Sequence, residues 1–222
     1  MRYDLGIVGG LGPLASSLLY EMITKKTKAK KDQDHLNIAL LSHAGIPDRN
    51  AFILGYSTED PFPYLLNDCK LLEKIGVKMI VIPCNTACFF HKRLQNEVNV
   101  KVSNIVKQTV KYISKNGYKK VAILATEATI KCNLYQNELK KNGIDCVCPK
   151  NDLVMKIIFD YVKKGKKVPR KLIDDIVKDL NVDGYILGCT ELSIVKRDLK
   201  LNKFFIDPME ILVDYVIKYF NV

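Results

Sequence analysis

An α/β protein built on parallel sheets is the fold class that the sequence predicts, from three patterns. Strand-like runs such as Leu5-Gly6-Ile7-Val8 and Met79-Ile80-Val81-Ile82 are apolar without alternation, as strands covered on both faces require. Helix-like stretches separate these runs, and several stop at a glycine: Gly76, Gly117, Gly143 and Gly165. The scheme occurs twice along the chain, which points to a doubly wound arrangement in each half.

In chain order, residues 5–8 form the first strand and lead into Gly9-Gly10-Leu11-Gly12. A helix over about 15–30 and a strand over 36–41 complete an opening βαβ pattern. Leu65, Cys69, Leu72 and Ile75 recur at helical spacing up to Gly76, strand 79–82 follows, and the period turns helical again after Pro83. The second half continues with a helix to Gly117, strand 121–124, a helix to Gly143, strand 144–147 and a helix to Gly165. A further helix over about 169–180 and a strand over 185–187 close the pattern.

The chain has 222 residues, 48% hydrophobic and 27% charged, with 12 Gly and 8 Pro. That suits one compact unit or two small α/β lobes and excludes disorder, collagen and low complexity. No apolar run reaches the roughly 18 residues of a membrane span, and the start leads directly into a strand, so a soluble, cytoplasmic protein without membrane or targeting segments is expected. Thirty-five basic against 24 acidic residues give a net charge of +11, almost all from lysine. Scattered helix-face lysines with few Arg forks argue against nucleic acid, whereas a positive field suits a small anionic substrate. The 7 cysteines are expected to remain thiols. Neither Cys146-x-Cys148 nor Cys84 with Cys88 has the companion ligands of a zinc site, so no metal is expected.

Two segments repeat one plan. Ile80-Val81-Ile82-Pro83-Cys84-Asn85-Thr86 and Tyr185-Ile186-Leu187-Gly188-Cys189-Thr190 each place a cysteine just past the carboxyl end of a buried strand, with a threonine close behind. Ligands of open α/β sheets bind at that end. If the lobes face each other about a pseudo-twofold axis, Cys84 and Cys189 approach one cleft from opposite sides. The helix expected after each cysteine favours thiolate through its first-turn N–H groups. An opposed thiol and thiolate suit inversion of a stereocentre: one takes a proton, the other returns one to the far face. Small-residue loops after the first strand of each half, Gly9 to Gly12 and Ala125 to Ala128, with nearby threonine hydroxyls, offer donors to stabilise the carbanion.

Gly9-Gly10-Leu11-Gly12-Pro13, Ile46-Pro47-Asp48-Arg49, Pro83-Cys84-Asn85-Thr86-Ala87, Leu124-Ala125-Thr126, Gly188-Cys189-Thr190-Glu191-Leu192 and Asp207-Pro208-Met209 resemble, in order and spacing, motifs of the aspartate/glutamate racemase family, most closely its aspartate racemase branch. The resemblance spans the whole chain. It implies a racemase that interconverts L- and D-aspartate without pyridoxal phosphate or other cofactor, and a homodimer of subunits with two Rossmann-like domains: residues 1–99 plus 208–222, whose last helix returns to the first domain, and residues 100–207. It further implies Cys84 and Cys189 as the two bases, and Gly10, Gly12, Asn85, Thr86, Thr126 and Thr190 around the substrate. Arg49 would clamp the distal carboxylate, as a bidentate guanidinium can. Lys163, or its neighbour Lys164, would face the substrate, Asp48 would orient Arg49, and Glu191 would tune Cys189. One departure stands out: the family commonly has His where this chain has Cys88. His91, three residues on, is placed to substitute on the same helix face or to be merely exposed.

Rival readings are a racemase of glutamate or other amino acids, a maleate-type cis-trans isomerase, and a dicarboxylate-binding protein without catalysis. Gly10-x-Gly12-x-x-Ala15 formally fits a dinucleotide fingerprint. However, Leu40-Leu41-Ser42-His43 offers no acid for a ribose, and Pro13 removes an N–H from the turn.

Overall fold

Uninterrupted apolar strands pair in parallel because helices must cover both of their faces. The computed structural model describes residues 3–222 and bears this out with two separate four-stranded parallel sheets. The first contains β1 (Leu5–Gly9), β2 (Ile38–Ser42), β3 (Met79–Val81) and β4 (Lys101–Val102), in the order β2-β1-β3-β4. The second contains β5 (Lys120–Ala125), β6 (Asp145–Val147), β7 (Gly184–Gly188) and β8 (Phe205–Ile206), in the order β6-β5-β7-β8. Each second sheet strand thus repeats the place of its counterpart in the first.

The described residues group into two units, one that runs to Ile105 and takes in Met209–Val222, and one formed by Val106–Pro208. In the first, β1 is flanked by α1 (Pro13–Lys26) and α3 (Phe62–Lys74), with a short α2 (Arg49–Leu54) between β2 and α3. Leu65 and Leu72 of α3 are fully buried with Ile80 and Phe90; side chains of this size contribute about 1.5–3 kcal/mol each when removed from water. The last helix, α11 (Pro208–Phe220), adds the buried Leu212, Val213 and Val216. It is tied down at its polar face as well: the Lys101 ammonium lies 5.1 and 4.9 Å from the ring centres of Tyr215 and Tyr219, and Lys26 pairs with Asp214. In the second unit Ile123, Leu124, Ile186, Leu187 and Tyr135 form the buried layer, joined by Ile173 and Ile176 of α9 (Arg170–Val177).

A carboxylate staples neighbouring segments in each unit. Asp4 accepts from the Asn37 amide at 3.1 Å and from Lys78 Nζ at 2.7 Å. Burial opposes its ionisation, but Lys78 and Asn37 outweigh it and hold the carboxyl below its usual value. Asp183 accepts from the amides of Lys120 and Lys119 at 2.8 and 2.7 Å, and these bonds lower its pKa.

Several elements differ from expectation. The helix expected over 15–30 starts at Pro13, where proline suits the first turn, and ends at Lys26 because Thr27 turns extended, with ψ 130°. The stretch to Gly143 is two helices, α6 (Glu127–Lys131) and α7 (Leu134–Lys141), broken where Asn133 adopts φ 52°. The stretch to Gly165 is α8 (Asn151–Lys156), then a π turn over Ile157–Tyr161 and a 3-10 turn over Val162–Lys164. Among the described residues no helix is long and apolar enough to cross a membrane.

Candidate active site

Both cysteines lie where their strands deliver them. Cys189 follows β7 directly and precedes α10 (Glu191–Leu199). Cys84 comes three residues after β3; Pro83 stands in the place of Gly188, and the Cys84 amide donates to Ile82 O at 2.8 Å in a tight turn. A 3-10 turn over Thr86–Phe90 and then α4 (His91–Glu97) follow, so the helix start after Cys84 is less regular than the one after Cys189. The two cysteines are equally hidden, 7% and 9% exposed, but differ in their polar contacts. Cys189 Sγ donates to Glu191 Oε2 at 2.8 Å, and Glu191 is itself buried. Cys84 packs within the apolar cluster that includes Leu11, Ile46 and Ala87, and among the described residues no carboxylate is hydrogen-bonded to its thiol.

None of the seven cysteines is in a disulfide. Burial pushes the Cys69 thiol up to about 12, with Asp68 and Glu73 adding to it. Burial likewise raises Cys132, Cys146 and Cys148. Those four are poor nucleophiles at neutral pH, since the thiolate is the reactive form. Among the described residues no three His, Cys, Asp or Glu side chains converge as a metal site would need.

The glycine loop after β1 is shaped by packing. Gly10 has φ 87°, and a Cβ there would lie 2.4 Å from the His43 carbonyl carbon, so only glycine fits. Its N–H is committed to Ser16 Oγ at 3.0 Å, and Gly12 O accepts from Ser16 Oγ at 2.9 Å. The loop is therefore braced internally, and the Gly10 amide is not the open donor that the sequence suggested.

Arg49 opens α2. Its Nη1 donates to Ile46 O and Pro47 O at 3.1 and 3.0 Å, and its Nη2 to Leu11 O at 3.3 Å, while its buried Nε has no partner among the described residues. Asp48 does not orient it: the Asp48 carboxylate caps α2, accepting from the amides of Asn50 and Ala51 at 2.6 and 3.0 Å. The carbonyls hold Arg49 instead.

Asn85 and Thr86 are buried beside Cys84 in sequence, and Thr190 is buried beside Cys189. Thr126 Oγ1 shares a buried hydrogen bond of 3.0 Å with Thr129 Oγ1 at the end of β5. Asn151, which the sequence did not single out, donates from Nδ2 to Ala125 O at 2.9 Å. Lys163 is exposed with its ammonium 4.3 Å from the centre of the Phe159 ring, while Lys164 is engaged with Asp160 at 2.7 Å. Cys88 donates to Asn104 Oδ1 at 3.6 Å. His91 is not merely exposed: its Nε2 is 2.9 Å from Val102 O, which ties α4 to β4.

Each unit thus places a cysteine at the same strand end of a like-ordered sheet, and similarity to known proteins assigns the racemase class. Residues 8–216 match the model of the Asp/Glu/hydantoin racemases, and the chain belongs to that family. Its structure is similar to the aspartate racemase of Picrophilus torridus, with a TM-score of 0.86 and 32% identity over 97% of this chain and 94% of that one. A broad-specificity amino-acid racemase of Bacillus subtilis is 29% identical over 202 residues, 86% of each protein. A glutamate racemase of Aquifex pyrophilus is 31% identical over 141 residues; the match takes in 62% of this chain but only 55% of that enzyme's length.

Proposed function

We propose that the chain is an amino-acid racemase that works without pyridoxal phosphate, interconverting L- and D-aspartate with Cys84 and Cys189 as its two bases. The observation that carries this reading is the equivalent placement of the two cysteines, each past the carboxyl end of the third strand of its unit in sheets of one order. The family and the Picrophilus torridus relative support it. One cysteine, as thiolate, removes the α-proton; the other, as thiol, donates its proton to the opposite face of the carbanion. The enantiomer leaves, and the protonation states of the two cysteines have exchanged. The Cys189–Glu191 hydrogen bond gives the Cys189 thiol a buried carboxylate partner that Cys84 lacks among the described residues.

Asn85, Thr86, Thr126 and Thr190 hold the α-carboxylate and amino group, with Gly10 and Gly12 shaping the loop rather than donating from Gly10. Lys163 attracts the acidic substrate. Arg49 clamps the side-chain carboxylate through Nε and Nη2, the edge on which the buried Nε has no partner among the described residues. Broad specificity is the second reading, because the Bacillus subtilis relative bears that name and because three carbonyls already occupy Arg49. The protein acts as a homodimer in the cytoplasm in this reading.

Proton NMR of L-aspartate in D2O with purified protein and no added cofactor, coupled to chiral analysis, tests the proposal. Loss of the α-proton signal with D-aspartate appearing is the expected result. Turnover of neutral amino acids at rates equal to aspartate establishes the second reading, and no exchange with any amino acid overturns both.

A further inference from the structure

We infer that His43 and Asp68 form a positioning pair that sets the guanidinium of Arg49 and thereby the preference for an acidic side chain. The inference rests on the proposed role of Arg49. His43 stands immediately after β2, at the carboxyl end of the first sheet, and Asp68 lies on α3. His43 Nδ1 is 3.0 Å from Asp68 Oδ2; the Asp68 side chain is 7% exposed and that of His43 38%. The carboxylate accepts the Nδ1–H, which fixes the imidazole against α3, and the Tyr64 ring packs edge-on at 6.0 Å.

From His43 a continuous run of contacts leads to Arg49. The His43 amide donates to Gly9 O at 3.3 Å, and its backbone fills the space that a side chain at Gly10 would need. His43 O accepts from the Ile46 amide at 3.4 Å, closing a turn. Ile46 O and Pro47 O, the next carbonyls along, receive the two N–H groups of Arg49 Nη1. Leu11 O, on the glycine loop that His43 also grips, receives Nη2. Arg49 is therefore held by two loops, and His43, anchored to α3 by its side chain, touches both through its backbone. Nothing else hydrogen-bonds the imidazole to another element among the described residues. Freeing His43 loosens the carbonyl cradle while leaving both cysteines on their strands, so substrate fit changes more than proton transfer.

The test compares His43→Ala and Asp68→Ala with two conservative changes. Asp68→Asn keeps an oxygen acceptor for Nδ1–H, and His43→Asn supplies a side-chain N–H in place of Nδ1–H. The first readout is the Arg49 Nε–H resonance in 15N-labelled full-length protein, assigned with Arg49→Lys. It is expected to shift or broaden in the alanine variants and to return in the conservative ones. The second is steady-state racemisation, where the alanine variants raise KM for aspartate about tenfold and lower kcat far less. An Arg49 resonance unmoved in folded alanine variants overturns the inference, as does an equal loss in kcat and KM that the conservative variants do not rescue. A moved resonance with an unchanged KM supports the positioning but defeats the proposed role of Arg49. If Asp68→Ala does not fold, His43→Ala, at the more exposed position, decides alone.

Discussion

The two units solve the same placement problem with different local chemistry. In the second, β7 runs straight into Cys189 and a regular helix, and a buried carboxylate receives the thiol proton at 2.8 Å. In the first, Pro83 stands in the place of Gly188, a tight turn precedes Cys84 and a 3-10 segment follows it, with the thiol among apolar side chains. Topology alone thus delivers a thiol to the strand end, while the polar partner of that thiol differs between the units. Equal exposure of the two residues means that access cannot account for a difference in their behaviour.

The sharpest way to break this comparison is to remove one thiol at a time. Cys84→Ser and Cys189→Ser each lower racemisation by at least about 100-fold, the scale of a lost acid or base. Each variant still exchanges the α-proton of one enantiomer with D2O, and the two variants act on opposite enantiomers. Exchange of the same enantiomer by both would end the two-face reading. A smaller effect is expected from Glu191→Gln. In wild-type protein iodoacetamide modifies Cys84 faster than Cys189, as mapped by mass spectrometry; the substitution narrows the ratio by about fivefold, the weight of one hydrogen bond. An unchanged ratio would show that Glu191 does not govern Cys189.

Smallest are the effects on the two carboxylate staples. Both Asp4 and Asp183 have folded pKa values below the ordinary 3.8. A depressed carboxyl contributes stability that is complete above 3.8 and lost as pH falls through the folded value. Asp183→Asn and Asp4→Asn are therefore expected to lower the melting temperature by a few degrees at neutral pH, with the deficit vanishing in acid. Thermal melts between neutral and strongly acidic pH check this, and a deficit that persists in acid would mean that geometry and not charge is lost.

Much of this architecture was legible in the chain, for physical reasons that also explain the gaps. Strands covered on both faces are continuous apolar runs, so β1, β3, β5 and β7 stand out, and Gly76 and Gly117 mark helix ends by their left-handed backbone. The edge strands β4 and β8 have two residues each, too few to show a period. Asn133 breaks a helix by entering the left-handed region without glycine, which composition does not announce. Helix α2 did leave a trace, an Asp48 cap and a Gly55 end, but its six residues are too few to show a helical period. At the candidate site, Cys84, Cys189 and Arg49 were singled out from their motifs. The partners of Arg49 were not, because backbone carbonyls carry no sequence signature. Nor was the pairing of His43 with Asp68, which depends on how the loop after β2 meets α3.

The first unit is discontinuous: its sheet is complete by Val102, yet Met209–Val222 belongs to it, with Lys101 set against Tyr215 and Tyr219. During synthesis from the amino end, Val106–Pro208 emerges whole and has all its own segments before the earlier unit receives its last helix. The ribosome therefore presents the later unit as the first that can finish folding, and the half made first must wait with an apolar face uncovered until the final helix arrives.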